Sequence, residues 1–440
     1  MNNLLRIVES GDMMRNSITL FSSIQWLFFI FANTIVVPLS IGTAFELPAA
    51  DIAMMVKTTL IFTGIACILQ ARFGHQYPIM EGHSGLFWGV MLNLSLSASA
   101  LGLSLTEIGG GIATGILLYA VAALLIVTFN LVSWVQRIFS PMVASVYLFL
   151  LSFQLIFIFF EGMLGKEADG TIDIPVSLLS VFIVILVIIL KIKGNTLISN
   201  FSILIGIVVG WILYVLLFPE DTASANLNGG SFKLFPLGKP NLEIGIIIVT
   251  FFTGLLNISN TIASIDSAAK IFKEKAKPVQ YRKSMLLTGI YSFFASGFGL
   301  VPYTPFTSTI GFLQSTRIYE RKPFYLGGAL LTLMGLIPLF GSFLATLPIT
   351  IGNAVLLVSY LQLFGTAYSS LNGATFTSNT IFRLAIPFLF GVSLMNLPVE
   401  IYSSLPALIQ PFISNGMLMG MLFSIIFELT IKWERLDQVE

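Results

Sequence analysis

The chain has 440 residues, 56% of them apolar and only 10% charged, with a mean hydropathy of +0.93. A soluble domain needs a polar coat, with about 25% charged residues as the usual level, so this composition excludes a soluble globular protein and calls for a bilayer. A net charge of +1 excludes a nucleic-acid binder, which needs a basic face, and the single cysteine, Cys67, excludes an internal disulfide and reads as a small buried hydrophobe.

Met1–Ser17 is polar, mixed in charge and free of a cleavable-signal pattern. Insertion is therefore expected to rest on the first apolar helix, 19–43. A crossing takes about 20 mostly apolar residues, and on that measure further helices are predicted at 51–70, 81–97, 106–129, 139–160, 176–193 and 199–218. The polar stretch Pro219–Pro240, with Asp221, Asn226, Asn228, Gly229 and Gly230, divides the chain near its midpoint. Beyond it, helices are predicted at 243–264, 283–300, 307–317, 324–346, 350–370, 379–396 and 413–431. The runs near 81 and 307 are short and polar, so twelve crossings plus two half-spanning segments describe the same pattern.

Loop charge supports this count. With the N-terminus inside, eighteen of the 22 Lys and Arg fall in inside segments, from Arg6 and Arg72 through the Lys270–Lys283 loop to Arg435. Only Lys166, Lys233 and Lys239 fall outside, and Lys57 lies within a helix. Retention of Lys and Arg on the cytoplasmic side produces this asymmetry. It predicts fourteen crossings with both termini cytoplasmic. Seven helices before the midpoint and seven after must run in opposite senses, the inverted-repeat plan of many transporters.

Polar groups at membrane depth are costly and face a cavity or another helix. Gln76-Tyr77-Pro78-Ile79-Met80-Glu81-Gly82-His83-Ser84-Gly85 opens the third helix of the first half, and Pro302-Tyr303-Thr304-Pro305-Phe306-Thr307-Ser308-Thr309-Ile310-Gly311 opens the third helix of the second. Ser84 and Ser308 occupy matched positions. Pro removes a backbone donor and Gly admits unusual dihedrals, so each segment is expected to begin as extended chain and continue as a half-helix aimed at a midplane site. The eighth predicted helix carries Thr250, Thr253, Asn257, Asn260, Thr261 and Ser264 on one face. The threonines alone read equally well as a close-packing seam, whereas the asparagine amides need more partners than such a seam supplies. Glu81 is the most unusual residue: hydrated if at the surface, and a hydrogen-bond acceptor or proton carrier if it faces a cavity. The two histidines and one cysteine give no metal-ligand spacing and no nucleophile–base pair, and no phosphate-binding Gly-Lys-Ser/Thr loop is present. No cofactor and no enzymatic activity are expected.

Four stretches resemble the nucleobase–ascorbate transporter family (nucleobase–cation symporter family 2), which includes bacterial uracil and xanthine permeases. These are Gln25-Trp26-Leu27 through Val37-Pro38, Tyr77-Pro78 through Gly82-His83-Ser84-Gly85-Leu86-Phe87, Gly297-Phe298-Gly299 through Pro302 and Ile310-Gly311 to Thr316-Arg317, and Leu347-Pro348 with Gly352 and Gly365. The resemblance implies an all-α membrane protein of fourteen segments in a 7+7 inverted repeat, with short strands ahead of the third and tenth half-helices. It implies a core of helices 1–4 (19–135) and 8–11 (243–346) and a gate of helices 5–7 (136–220) and 12–14 (347–431). The external linker is then 221–242, and the cytoplasmic tails are 1–18 and 432–440.

The resemblance also implies a nucleobase such as uracil, xanthine or another purine, moved across the cell membrane by alternating access with a proton or sodium ion. A homodimer is compatible with it. Several family side chains are replaced: Trp26 stands for a His, Gly85 for the stacking aromatic, Asn257 and Thr261 for acids or His on the eighth helix, and Ser308 for a Glu or Gln. The expected substrate site comprises Glu81, His83, Ser84, Gly85, Asn257, Asn260, Thr261, Phe306, Thr307, Ser308 and Thr309. Glu81 is the candidate for coupling, and Trp26, Phe87 or Phe306 could supply a stacking face. An anion carrier on the same scaffold and a non-transporting scaffold or receptor are the rival readings.

Overall fold

A computed structural model describes residues 19–131, 140–167, 170–219, 232–337, 346–371, 377–406 and 409–431, with isolated positions 138, 340, 343, 344 and 433. Arg137, the midpoint stretch 220–231, which holds Asp221 through Gly230, and the predicted tails apart from Trp433 lie outside the described residues.

The first half opens with α1 (residues 19–32) and α2 (Val36–Ala44), one crossing broken at 33–35. Then come α3 (Ala49–Phe73), β1 (Glu81–His83), α4 (Gly85–Leu96), the short α5 (Ala98–Leu101), α6 (Leu105–Thr128), α7 (Pro141–Met163), β2 (Gly165–Lys166), β3 (Ile172–Asp173), α8 (Ile174–Lys193) and α9 (Thr196–Leu217). The second half runs α10 (Ile244–Ile271), α11 (Pro278–Phe298), β4 (Tyr303–Pro305), α12 (Thr309–Thr316), α13 (Arg321–Leu336), α14 (Ile349–Tyr360), α15 (Gln362–Ser370), α16 (Ser378–Met395), a 3-10 turn (Val399–Ser404), α17 (Gln410–Ile413) and α18 (Gly416–Thr430).

Helix ends follow capping chemistry. Ser104, Ser140, Asp173, Asn195, Thr377 and Asn415 each accept a bond from a first-turn backbone N–H, and Ser104 forms a capping box with Glu107. Eight helices among the described residues are long and apolar enough to cross a bilayer. The 21-residue α11 is not among them. Its inward face carries Gln280, Ser284, Thr288, Ser292 and Ser296, all buried and each one turn from the next.

Among the described residues, three predicted helices are interrupted, and the eleventh, predicted at 324–346, leaves helix at Ile337. The first is broken at 33–35, where the Asn33 amide bonds the Phe29 carbonyl and the Thr34 hydroxyl bonds that of Ile30. The third gives its first three residues to β1, and the twelfth is split at Leu361 into α14 and α15.

The two halves repeat one order, with a strand and half-helix as the third member of each. β1 pairs antiparallel with β4, Gly82 opposite Thr304, as equivalent segments of oppositely directed halves must. The fold is a 7+7 inverted repeat. α3 packs chiefly on α13, and α6 on α10 and α11; separately, α7 packs on α14, α15, α16 and α18, and α8 on α9.

α3 and α13 meet at glycines. A Cβ on Gly64 would lie 2.3 Å from the Gly328 carbonyl oxygen and 2.2 Å from Thr332 Oγ1, so only hydrogen fits, as at small-residue contacts between membrane helices. Gly64→Leu is expected to force these helices apart at an overpacking cost of about 1–3 kcal/mol. The check is the unfolding temperature of the purified protein in detergent, which should drop; an unchanged value refutes the close contact.

Candidate functional site

Pro78, Pro302 and Pro305 deny their segments helical hydrogen bonding, so residues 79–84 and 302–306 run extended at the centre of the fold. Non-helical backbone at membrane depth must find partners within the protein. Beyond the β1–β4 ladder, Ser84 N–H donates to Pro302 O (2.7 Å) and Phe306 N–H to Met80 O (2.8 Å).

α10 locks this strand pair. Asn257 accepts from the Ser84 hydroxyl (2.7 Å) and donates to the Tyr303 carbonyl (3.1 Å). Ser84 Oγ in turn accepts from Phe87 N–H and caps α4. Ser264 donates to Pro305 O (2.9 Å). The Asn260 amide donates to Thr304 Oγ1 (3.2 Å) and accepts from Thr307 (3.3 Å).

A cavity of about 880 Å³ lies between this assembly and the α7 and α14–α15 helices. That volume is within the range of roughly 300–1,000 Å³ usual for small-molecule sites. Its inner wall is His83, Gly85, Asn260, Thr304, Phe306, Thr307 and Ser308, with Asn33 beside them. Leu148, Leu151 and Tyr360 form the opposite wall. It extends along α10 past Ser259, Asp266 and Lys270, and the last two are exposed.

Two buried polar atoms on the cavity residues have no protein partner. His83 Nδ1 lies 3.1 Å from the Val301 carbonyl, whereas its Nε2 is unpaired, as is Ser308 Oγ. Buried polar atoms are almost always paired, so Ser308 Oγ is suited to a ligand, whereas the His83 ring packs on Tyr303, whose hydroxyl meets Thr63 of α3. Phe306 supplies an aromatic surface, its ring held against Gly82, where a Cβ would stand 2.8 Å from Cε2.

Six of the residues expected from sequence line this cavity: His83, Gly85, Asn260, Phe306, Thr307 and Ser308. Ser84 and Asn257 are consumed in the lock behind it. Thr309 Oγ1 accepts from Met80 N–H (3.2 Å), and Thr261 faces Tyr119 and Met285 around a small void. Trp26 is fully buried among Phe29, Phe312 and Phe324, and Phe87 packs on Tyr119, so neither ring reaches the cavity. Glu81 points away from it, toward α3 and α11, where its carboxylate accepts from Thr288 (3.3 Å).

Asn33, Ser259, Thr304, Gln314 and Tyr360 line the cavity without having been singled out by sequence. Asn33 carried a readable signal, an amide in the middle of an apolar run. Tyr360 carried none, since an aromatic in an apolar helix looks like any core residue. Among the described residues, no cluster of His, Cys, Asp and Glu could hold a metal.

A family model described as the permease family matches residues 17–400. The Bacillus subtilis (strain 168) protein named putative purine permease YwdJ is 29% identical over 427 residues, spanning 94% of this chain and 96% of that one. The uric acid transporter UacT of Escherichia coli (strain K12) is 22% identical over 92% of this chain and 84% of its own. The xanthine permease XanQ of the same strain is 24% identical over 94% and 91%. Among solved structures, SLC26A9 matches with a TM-score of 0.62 at 10% identity, covering 95% of this chain and 69% of that one. The transmembrane domain of the cyanobacterial bicarbonate transporter BicA matches at 0.57 and 14%, covering 93% and 97%. These structural likenesses concern the fold alone. The matched span, the relatives and the crossed half-helices agree: the chain is a multi-pass membrane protein and belongs to the permease family of nucleobase–ascorbate transporters.

Proposed function

We propose that this permease imports a purine base of the xanthine type across the cell membrane, with uracil as the smaller alternative, in a cation-coupled cycle. The observation that carries the reading is the composition of the cavity. One aromatic face, Phe306, adjoins an edge of neutral donors and acceptors from Asn260, Thr304, Thr307 and Ser308. A flat heterocycle offers the complementary surfaces, a π-face for stacking and a rim of N–H and C=O groups. The names of the relatives, for purine, uric acid and xanthine, point the same way.

The two packing groups supply the moving parts. Helices α1–α6 with α10–α13 form the core, and α7–α9 with α14–α18 form the gate. The cavity opens beside Lys270 in the last turn of α10, the side to which loop charge assigns the cytoplasm, which supports reading the arrangement as inward-facing with cytoplasmic termini.

Uptake of radiolabelled xanthine into cells lacking their own permeases tests the reading. Unlabelled xanthine, uric acid, guanine or uracil should compete, while sulfate and dicarboxylates should not. Competition by the anions with none by the bases would replace the reading with anion transport through the half-helix N-termini.

A further inference from the structure

β1 separates two polar environments. Gly82 backs on Phe306 of the cavity wall, while Glu81, beside it, projects the other way between α3 and α11 and is fully buried. Its Oε1 accepts from Thr288, its Oε2 is left without a hydrogen bond, and the Gln70 side chain is the other polar neighbour of the carboxyl. Among the described residues, no Lys, Arg or His lies within ion-pair distance of it. The titratable groups facing it are Cys67 from α3, Tyr119 from α6, Tyr291 from α11 and Tyr303 from β4, with His83 on its own strand, and none is a Lys or Arg. An uncompensated carboxylate at membrane depth is strongly disfavoured, so this environment suits the neutral acid.

A line of polar groups leads away from that carboxyl. Gln70 Nε2 donates to Thr288 Oγ1 (3.2 Å) and to the Ser284 carbonyl (3.2 Å). One turn further, Gln280 Nε2 donates to the His75 carbonyl (2.6 Å). Beyond lies the α10–α11 loop, where Tyr77 donates to the exposed Glu274 (2.7 Å). A stripe made only for close packing would turn its hydroxyls back on their own helix, as Ser292 does to Thr288 O. Here Glu81 Oε2, Gln70 Oε1, Ser284 Oγ and His75 Nε2 are all buried and unpaired. His75 is neutral, burial and nearby Arg321 holding its pKa down to about 3, and its Nδ1 accepts from Tyr77 N–H, which leaves the ring proton on Nε2. These four unpaired groups belong to the residues of that seam, and a proton is a species that needs hydrogen bonds and almost no volume.

We propose that Glu81 is the proton-binding residue of this permease, on the face of β1 opposite the substrate cavity, and that the proton it carries leaves inward through the Gln70–Thr288–Ser284–His75 seam. The proposal rests on the transport reading. Loading forms an O–H bond at the Glu81 carboxylate with a proton from external water, in the opposite arrangement of core and gate. Unloading breaks it and returns the proton to water at the α10–α11 side, the same side to which the cavity opens. The carboxylate left behind is unstable where it lies, and Gly82 beside it backs on Phe306 of the cavity wall, so proton occupancy and cavity shape are tied through adjacent residues of β1.

The test uses the full-length protein in vesicles, with xanthine as the probe. In Glu81→Gln, exchange of labelled for unlabelled xanthine should persist, while accumulation driven by a pH gradient and substrate-evoked proton entry, read with a trapped pH dye, should be lost. Thr288→Val, which removes the donor to the carboxylate, should slow the proton-driven modes selectively. Infrared spectra of wild type minus Glu81→Gln at neutral pH should show a carboxylic-acid C=O band, a measurement that needs no transport. Undiminished pH-driven accumulation in Glu81→Gln, accumulation driven by sodium alone, or absence of that band would each overturn the proposal. Failure of the wild type to exchange any base would instead count against the transport reading, with the infrared band still deciding the state of Glu81.

Discussion

Phe306→Ala weakens base binding by about ten- to a hundredfold, the effect of losing a base–aromatic stack of roughly 1–3 kcal/mol. Phe306 is the only Phe, Tyr or Trp from the two strand-and-half-helix segments that lines the cavity. Its ring is fixed from behind by Gly82 and its N–H by Met80 O, so it is held in place before the ligand arrives. Phe306→Leu should retain the fold and still lose most of the affinity, because volume is kept and the flat face is not. Trp26→Phe and Phe87→Leu change buried rings outside the cavity and should lower stability while leaving affinity unaltered. The concentration dependence of xanthine uptake, with ligand-induced thermal stabilisation of the purified variants, separates these cases. Equal affinity in Phe306→Ala and wild type would remove the ring from the site.

The contrast between these aromatics shows what a sequence can and cannot convey about such a site. Pro78, Gly82, Pro302 and Pro305 make extended chain at membrane depth legible, because a missing N–H and a missing Cβ are properties of the residues themselves. Charge asymmetry in the loops made the crossings countable for the same reason. Direction along a strand or around a helix is different. Glu81 and Gly85 lie four residues apart in one polar segment and looked like members of one site, yet the structure sends the first behind the strand and brings the second to the cavity.

Asn257 and Asn260 were equally ambiguous on α10. Three residues apart, they share a helical face, but Asn257 meets the strand backbone while Asn260 borders the cavity. The α11 stripe from Gln280 to Ser296 has regular spacing and could have been read from sequence. Its serines resemble ordinary small-residue packing, and only the carboxyl of Glu81 at its inner end gives them a second meaning. The far wall, Leu148, Leu151 and Tyr360, comes from apolar helices whose cavity-facing and lipid-facing residues are chemically alike.

Asn257→Ala should abolish transport although the side chain does not line the cavity. Its amide is the tie between both strands and α10, and its loss leaves the Ser84 hydroxyl and the Tyr303 carbonyl without their partner. Each buried group so stranded costs about 1–3 kcal/mol, and Ser84 is at the same time the cap of α4. The cost falls on the registration of the two half-helices, so the variant should be poorly folded or folded with a misaligned cavity. Asn257→Asp separates the tie from the bulk of the side chain. A neutral carboxylic acid can accept from Ser84 through one oxygen and donate to Tyr303 O through the other, reproducing both bonds. The carboxylate cannot donate, and it places a charge at membrane depth. Base exchange by Asn257→Asp, measured without a pH gradient, should therefore be more active in acid than in alkali relative to the wild type. A flat ratio across pH would show that the donor half of the tie is dispensable.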